Sequence, residues 1–232
     1  MSRNLLIVLC AFVLLAGCGK GRTGIRGTVT YEGPDTDAPL SMQGDPTCAS
    51  QHHEPLDTNE IALKGGRLAN VFVYVESGLG EKSFAVPAEK KRVDQHGCLF
   101  TPRVLGTQVG QVVEFTNSDA TLHNVHALPA SNEESNDPQA QGMPPVDRRF
   151  NKPEVMVPVR CDIHPWMVAY IGVLPHPYYA VSGEDGTFSI PNLPPGRYTL
   201  EAWHEKLGTR TREVTVESGE TVAVDFDFKP KP

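Results

Sequence analysis

The sequence predicts an all-β protein made of two β-sandwiches. Its 21 glycines and 20 prolines lie between short runs rich in valine, phenylalanine and threonine, which is typical of many short strands joined by turns. Several of these runs alternate apolar and polar residues, as half-buried strands do. Once an N-terminal leader is set aside, about 210 residues remain, which is enough for two sandwiches of about 100 residues each.

The first 17 residues predict a secretory signal peptide. An apolar run at residues 5–15 is too short to span a bilayer and fits the apolar region of such a peptide. The motif Leu15-Ala16-Gly17-Cys18 resembles the bacterial lipobox, which implies cleavage before Cys18 and acylation of that cysteine. The alternative is an uncleaved membrane anchor, or an ordinary signal peptide with a chance cysteine. We expect a lipid-anchored protein on the periplasmic side of the cell envelope, and Gly19 after Cys18 favours the outer membrane.

Two strands are predicted in the first third of the folded chain. Residues 25–31 alternate as a half-buried strand, and residues 68–75 read as a buried strand. The polar stretch between them raises the possibility of a zinc site, which needs four clustered ligands. The candidate ligands are Cys48, His52 and His53, with His96 and Cys98 as additions.

From Val93 onward the pattern changes to short, closely spaced strands. The predicted strand segments are residues 98–102, 104–109, 112–116, the segment that contains His123, and residues 168–174. Between Leu128 and Pro153 the chain is polar and has no period. We expect a solvated surface loop there, with a functional loop as the alternative.

Cys161, His164 and Met167 place three metal-binding groups in one short loop. A thiolate, an imidazole and a thioether stand at positions i, i+3 and i+6, and Pro165 stiffens the loop. Soft sulfur ligands select Cu(I), imidazole suits both oxidation states of copper, and a long axial methionine is typical of blue-copper sites. The fourth ligand should be a histidine from another strand.

Residues 122–126 offer two histidines for this fourth position. In a strand, residues three apart point to opposite faces, so only one of His123 and His126 can face the metal without a bend in the backbone. We predict that His123 is the ligand.

The pairing of His123-Asn124-Val125-His126 with the loop Cys161-x-x-His164-Pro165-aromatic-Met167 resembles the amicyanin type of the cupredoxin family. The resemblance covers residues 85–175 and implies a Greek-key cupredoxin sandwich that binds copper. The ligands that it implies are His123, Cys161, His164 and Met167.

The same resemblance assigns roles to the neighbours of these ligands. It implies that Asn124 braces the loop that carries Cys161, and that the ring edge of His164 reaches an apolar surface patch where a redox partner protein docks. Pro165 and Trp166 either belong to this patch or pack within the loop.

The remaining cysteines bear on the zinc question. With Cys18 assigned to a lipid and Cys161 to a metal, Cys48 and Cys98 are left in the folded part. An even remainder outside the cytoplasm favours a disulfide between them.

The segment after residue 175 is of a different kind. Residues 180–190 form a strand–turn–strand pattern around Asp185-Gly186, and the turn Leu193-Pro194-Pro195-Gly196-x-Tyr198 follows. Alternating strands lie at residues 213–216 and 221–228. These features resemble the carboxypeptidase regulatory-like, transthyretin-like β-sandwich.

That family normally begins with a Gly-x-Val strand and a later Val-x-Val strand. Here these are Gly27-Thr28-Val29 and Val71-Phe72-Val73, both upstream of the cupredoxin-like block. The resemblance therefore implies a discontinuous sandwich, built from residues 24–80 and 176–232, with the cupredoxin domain inserted into one of its loops.

The net charge and the absence of several motifs argue against some classes of function. The net charge of -7 argues against a nucleic-acid partner, because phosphate binding needs a basic surface. The chain has no haem, phosphate-loop or nucleophile-elbow motif, and His204-Glu205 lacks the second histidine of a zinc-enzyme helix because Gly208 stands there. We therefore expect that the chain is not an enzyme, and that His126, His176 and His204 lie at the surface or beside the metal site.

The leading hypothesis is a membrane-anchored blue-copper protein that carries single electrons to a redox partner protein. The alternative is a copper-binding or scaffold lipoprotein that has no part in electron transfer, because the transthyretin-like sandwich is a common structural spacer.

Overall fold

The structure is a computed structural model that describes residues 23–230. The predicted signal peptide at residues 1–17 and the predicted lipidation site Cys18 lie outside the described residues. Within the described range, no helix is long and apolar enough to cross a membrane.

The described residues form 19 strands and one short helix, α1 (Pro46–Ala49). The first strands are β1 (Gly24–Tyr31), β2 (Leu63–Lys64), β3 (Arg67–Leu68) and β4 (Phe72–Ser77). The middle strands are β5 (Lys91–His96), β6 (Leu99–Thr101), β7 (Val104–Gln108), β8 (Val112–Asn117), β9 (His123–Ala127), β10 (Ser135–Gln139), β11 (Val146–Arg149), β12 (Glu154–Arg160) and β13 (Val168–Leu174). The last strands are β14 (Tyr179–Val181), β15 (Thr187–Pro191), β16 (Gly196–His204), β17 (Gly208–Val216), β18 (Thr221–Ala223) and β19 (Phe226–Phe228).

The first and last groups of strands share one sandwich. Its sheets have the orders β15-β1-β3-β2, with β18 and β19 also paired to β1, and β14-β4-β16-β17. Apolar side chains from both sheets fill the space between them, among them Val29, Val73, Leu200 and Phe226. Because strands from the two ends of the chain pair with each other, the middle block is inserted into a loop of this outer sandwich.

The middle block forms the second sandwich. Its sheets have the orders β10-β9-β12-β13-β7 and β11-β8-β5-β6, and Phe115, Val125, Val157 and Ile171 lie in the core between them. Strand β12 runs antiparallel to β9 and to β13. The start of β9 therefore lies at the same end of the sheet as the loop that joins β12 to β13.

Two sequence expectations differ from this fold. The stretch between Leu128 and Pro153 is not a structureless loop, because it contains β10 and β11. These strands pair only with β9 and β8, respectively, and edge strands of this kind tolerate polar residues and a proline such as Pro138. The predicted strand at residues 68–75 is split by Asn70, whose φ of 59° belongs to the left-handed region.

Residues 39–56 were predicted to belong to the outer sandwich, but they pack against the inserted one. Met42 and Cys48 belong to the core of the inserted sandwich, and Leu40 and Leu56 pack against it. This segment, which contains α1, therefore covers the inserted sandwich rather than the outer one.

The two sandwiches meet at a small apolar junction of Phe72, Tyr74, Val104 and Leu174. At its edge, the Arg103 guanidinium donates from Nη2 to Glu205 Oε2 at 2.9 Å.

Candidate metal centre

The loop between β12 and β13 turns its potential ligands inward. The Cys161 amide donates to the Met167 carbonyl at 3.2 Å, and the Met167 amide donates to the His164 carbonyl at 2.9 Å. These bonds close the loop into a tight turn, and the side chains of Cys161, His164 and Met167 are buried in the sandwich. Pro165 stays exposed at the outside of the turn.

His123 reaches the same point from β9. The Nδ1 atoms of His123 and His164 lie 2.8 Å apart, and Cys161 Sγ lies 3.8 Å from His164 Nδ1. The metal-binding atoms of these three side chains all lie within 4.8 Å of one another. His126 points elsewhere, since its ring binds Asp162 and Glu134 on the outer face of the sheet.

Each of the two buried histidines binds a carboxylate through its other nitrogen. His123 Nε2 lies 2.9 Å from Asp119 Oδ2, and His164 Nε2 lies 2.9 Å from Asp45 Oδ2. A carboxylate accepts a hydrogen bond, so each Nε2 carries a hydrogen and Nδ1 is the nitrogen that faces the cluster. The two Nδ1 atoms lie within hydrogen-bond distance, so in the metal-free protein one donates a hydrogen to the other, and a bound cation would take the place of that hydrogen.

The predicted disulfide joins Cys48 to Cys98, so their sulfur atoms are not available to the alternative zinc site. The two carboxylates tie this disulfide to the histidines. Asp45 Oδ1 accepts from the Cys48 amide at 3.2 Å, and Asp119 Oδ2 accepts from the Cys98 amide at 2.8 Å.

Asn124 connects β9 to the loop. Its Oδ1 accepts from the Asp162 amide at 2.8 Å and from the Cys161 thiol at 3.3 Å, and its Nδ2 donates to Asp162 Oδ2 at 2.9 Å. Trp166 holds the other side of the loop, because its Nε1 donates to the Cys98 carbonyl at 3.0 Å. Its ring centroid lies 5.1 Å from that of His164.

The surroundings shift the pKa values of several of these groups. Burial alone would lower the pKa of His123, but hydrogen bonds to Asp119 and Cys161 outweigh it and raise the pKa to about 9. Burial would raise the pKa of the Cys161 thiol, yet a hydrogen bond from His123 and one from the Asn124 backbone amide lower it to about 7. The hydrogen bond to His164 lowers the pKa of Asp45 to about 2. The carboxylate is thereby favoured at neutral pH, and the thiolate becomes accessible there.

The donor set fits copper. Two imidazole nitrogens and a thiolate, with the buried Met167 in the same loop, are the ligands that copper prefers, whereas calcium and magnesium prefer oxygen. The ligands come from a strand and a tight turn that hydrogen bonds fix in place, so the protein can hold one arrangement of donors.

Sequence reasoning missed Asp119 and Asp45. Asp119 stands four residues before His123 in the polar turn that precedes β9. This short spacing could have indicated that the two side chains meet. Asp45 lies 119 residues from His164, and only the folded chain brings the two together.

Two expectations about histidines are wrong. The ring edge of His164 does not reach a surface patch, because Asp45 and the Cys48 sulfur cover it and the residue is 2% exposed. His176 and His204 lie neither at the surface nor beside the candidate ligands. Both are buried, and their Nδ1 atoms accept hydrogen bonds from backbone amides two or three residues later.

Comparisons with known proteins give a family match and several structural matches. The carboxypeptidase regulatory-like domain model matches residues 169–229. A purple cupredoxin from Nitrosopumilus maritimus aligns at 21% identity and a TM-score of 0.31, over 36% of this chain and 98% of that one. A mutant of amicyanin in its Cu(I) form aligns at 22% identity and a TM-score of 0.33, over 44% of this chain and 97% of that one. A search of curated protein sequences finds no match.

A further matched structure corrects one expectation. A copper-containing nitrite reductase from Thermus scotoductus aligns at 27% identity and a TM-score of 0.35, over 41% of this chain and 26% of the reductase. The structures that resemble this chain thus include an enzyme as well as small cupredoxins. The expectation that the chain is not an enzyme is therefore withdrawn.

The family match overlaps the outer sandwich, and the strand order shows a second β-sandwich inserted into it.

Proposed function

We propose that this chain binds one copper ion through His123, Cys161, His164 and Met167 and carries single electrons. The observation that supports this most is the convergence of two histidine Nδ1 atoms and one cysteine Sγ within 4.8 Å, all of them buried. Copper bound there would change between Cu(II) and Cu(I) and so accept and release one electron.

The residues around this point support a carrier because they hold the ligands still. Asp119 fixes His123, Asp45 fixes His164, and Asn124 fixes the loop that carries Cys161. Ligands held in one arrangement need not move when the charge of the ion changes, and electron transfer is faster when less has to rearrange.

The proposal includes a place in the cell. We propose that a lipid on Cys18 anchors the protein at the periplasmic side of the envelope, where it meets a redox partner protein. The apolar leader before Cys18 supports this, and so does the disulfide, because disulfides persist in oxidising compartments.

One observation favours a second candidate, a copper-binding or scaffold protein with no role in electron transfer. His164 is 2% exposed, so a partner cannot touch its ring directly. A site closed in this way suits copper storage as well as it suits a carrier.

Cyclic voltammetry separates the two candidates. A carrier should give a reversible one-electron wave, and Met167→Leu should raise its potential, because loss of the thioether donor destabilises Cu(II) more than Cu(I). Met143→Leu is the matched control, since Met143 is 48% exposed, and it should leave the potential unchanged. If the copper-loaded wild type gives no reversible wave, the carrier role is ruled out and the storage or scaffold role is the better account.

A further inference from the structure

The segment at residues 39–56 forms a cover over the candidate metal centre. Its apolar side chains Met42 and Cys48 belong to the core of the inserted sandwich, and the disulfide from Cys48 to Cys98 ties α1 to the turn between β5 and β6. Both cysteines are fully buried. An external thiol cannot reach their sulfur atoms, so the disulfide serves as a tether.

One carboxylate oxygen of Asp45 binds the cover, and the other binds the candidate metal centre. Its Oδ1 caps α1, accepting from the Thr47 amide at 2.8 Å and the Cys48 amide at 3.2 Å. Its Oδ2 faces His164 Nε2 at 2.9 Å. Because the cap and the disulfide fix the first oxygen, the second is held against the histidine.

The cover also closes the outer side of His164. Cys48 Sγ lies 3.7 Å from His164 Nε2, and Trp166 packs against the ring from the loop. These contacts cover the edge that the sequence resemblance placed at the surface, and they stand in the way of an external ligand.

We propose that Asp45 is a positioning residue for His164, and that the tethered segment closes the outer edge of the copper site. The inference rests on the proposed copper site. Asp45 keeps the proton of His164 on Nε2 and its lone pair on Nδ1, and its negative charge strengthens the imidazole as a donor. A stronger donor stabilises Cu(II) over Cu(I) and lowers the reduction potential.

Asp45→Asn is the decisive variant. Asparagine caps a helix as well as aspartate does, so its oxygen can keep the bonds to Thr47 and Cys48. Its amide nitrogen then faces the Nε2 hydrogen of His164, and two donors cannot bond. Glu54→Gln is the matched control, because it removes one negative charge from an exposed position of the same segment.

The first readout is the reduction potential of the copper-loaded protein. Loss of an outer partner of a metal ligand typically costs 10–100-fold in metal affinity. We expect Asp45→Asn to weaken Cu(II) relative to Cu(I) by about tenfold, which is a rise of about 59 mV for one electron. Glu54→Gln should stay close to the wild type. Equal potentials in all three proteins would overturn the positioning role.

The second readout is access to the site. Azide or imidazole added to the Cu(II) protein should leave the visible spectrum of the wild type and of Glu54→Gln unchanged. Asp45→Ser keeps a capping oxygen but is too short to reach His164, so its spectrum should change with the added ligand. A wild-type spectrum that changes equally would overturn the closed edge.

A third readout does not depend on copper. In metal-free protein, ¹⁵N NMR of the His164 ring should place the hydrogen on Nε2 in the wild type, and Asp45→Asn should change this. If the wild type shows the Nε2 hydrogen but gives no coloured copper complex, the proposed function fails while the contact stands. A ring that is unaffected by Asp45→Asn overturns the positioning role whether or not copper binds.

Discussion

Buried histidines occur in both sandwiches, but their partners differ. In the inserted sandwich, His123 and His164 bind carboxylates through Nε2 and turn their Nδ1 atoms toward Cys161. In the outer sandwich, His204 Nδ1 accepts from the amides of Lys206 at 3.2 Å and Leu207 at 3.3 Å. Burial alone therefore does not separate the two histidines of the cluster from His204, but the partners of their ring nitrogens do.

The pKa values follow the same division. Burial, with the nearby charges of Arg103 and Lys206, lowers the pKa of His204 to about 4, so this ring stays neutral and acts as an acceptor in the core. The pKa of His123 is raised to about 9 because Asp119 and Cys161 outweigh its burial. His204 accepts hydrogen bonds within the turn between β16 and β17, whereas His123 holds a proton at neutral pH that a bound cation would have to displace.

The largest effect expected from this comparison is on copper affinity. His123→Gln should weaken Cu(II) binding by more than about 100-fold, because even the loss of an outer partner costs 10–100-fold. His204→Gln should leave the affinity unchanged. A competition titration against a copper chelator measures both, and equal losses in the two variants would break the comparison.

The next effect concerns stability. The disulfide closes a loop with a sequence separation of 50, and its loss in the Cys48→Ser/Cys98→Ser variant should lower the free energy of unfolding by about 4 kcal/mol. The two tryptophans can report where this happens, since Trp166 packs beside the disulfide and Trp203 lies in β16 of the outer sandwich.

Urea unfolding can follow each sandwich separately when one tryptophan is replaced. Trp166 reports on the inserted sandwich in the Trp203→Phe background, and Trp203 reports on the outer sandwich in the Trp166→Phe background. Without the disulfide, the Trp166 transition should move to lower urea concentration more than the Trp203 transition does. Equal movement of both would mean that the sandwiches unfold as one unit.

The smallest effect is a pH dependence from His204. Its folded pKa of about 4 lies below its ordinary value of 6.5, so its contribution to stability is fully present above pH 6.5 and is lost as the pH falls toward 4. At about 1.36 kcal/mol for each pKa unit, the loss is roughly 3 kcal/mol. His204→Gln should remove this part of the slope of the unfolding free energy against pH, and an unchanged slope would contradict the assignment.

Local sequence signals predicted the all-β fold, and the spacing of Cys161 and His164 in one loop indicated that the two side chains lie close together, as they do in the cluster with His123. That these residues and Met167 bind copper stays a prediction. The buried position of His204 was also readable, since it continues the alternation of Tyr198, Leu200 and Ala202 along β16. The sequence prediction did not use this alternation and so missed that His204 is buried.

Long-range pairing set the limit of prediction. Nothing in the local sequence indicates that Asp45 meets His164, because that contact depends on how residues 39–56 cross the inserted sandwich. Strands β10 and β11 were missed for a similar reason, since their polar sequences become strands only by pairing with β9 and β8.

The visible absorption spectrum tests the central claim most directly. With Cu(II) added, the wild type should show an intense visible band from thiolate-to-copper charge transfer, since Cys161 is the one free cysteine in residues 23–230. Cys161→Ser should lose this band completely, whereas His126→Gln, which changes a histidine outside the cluster, should keep it. A Cys161→Ser protein that stays coloured, or a wild type that never becomes coloured, would contradict the assignment of the copper site.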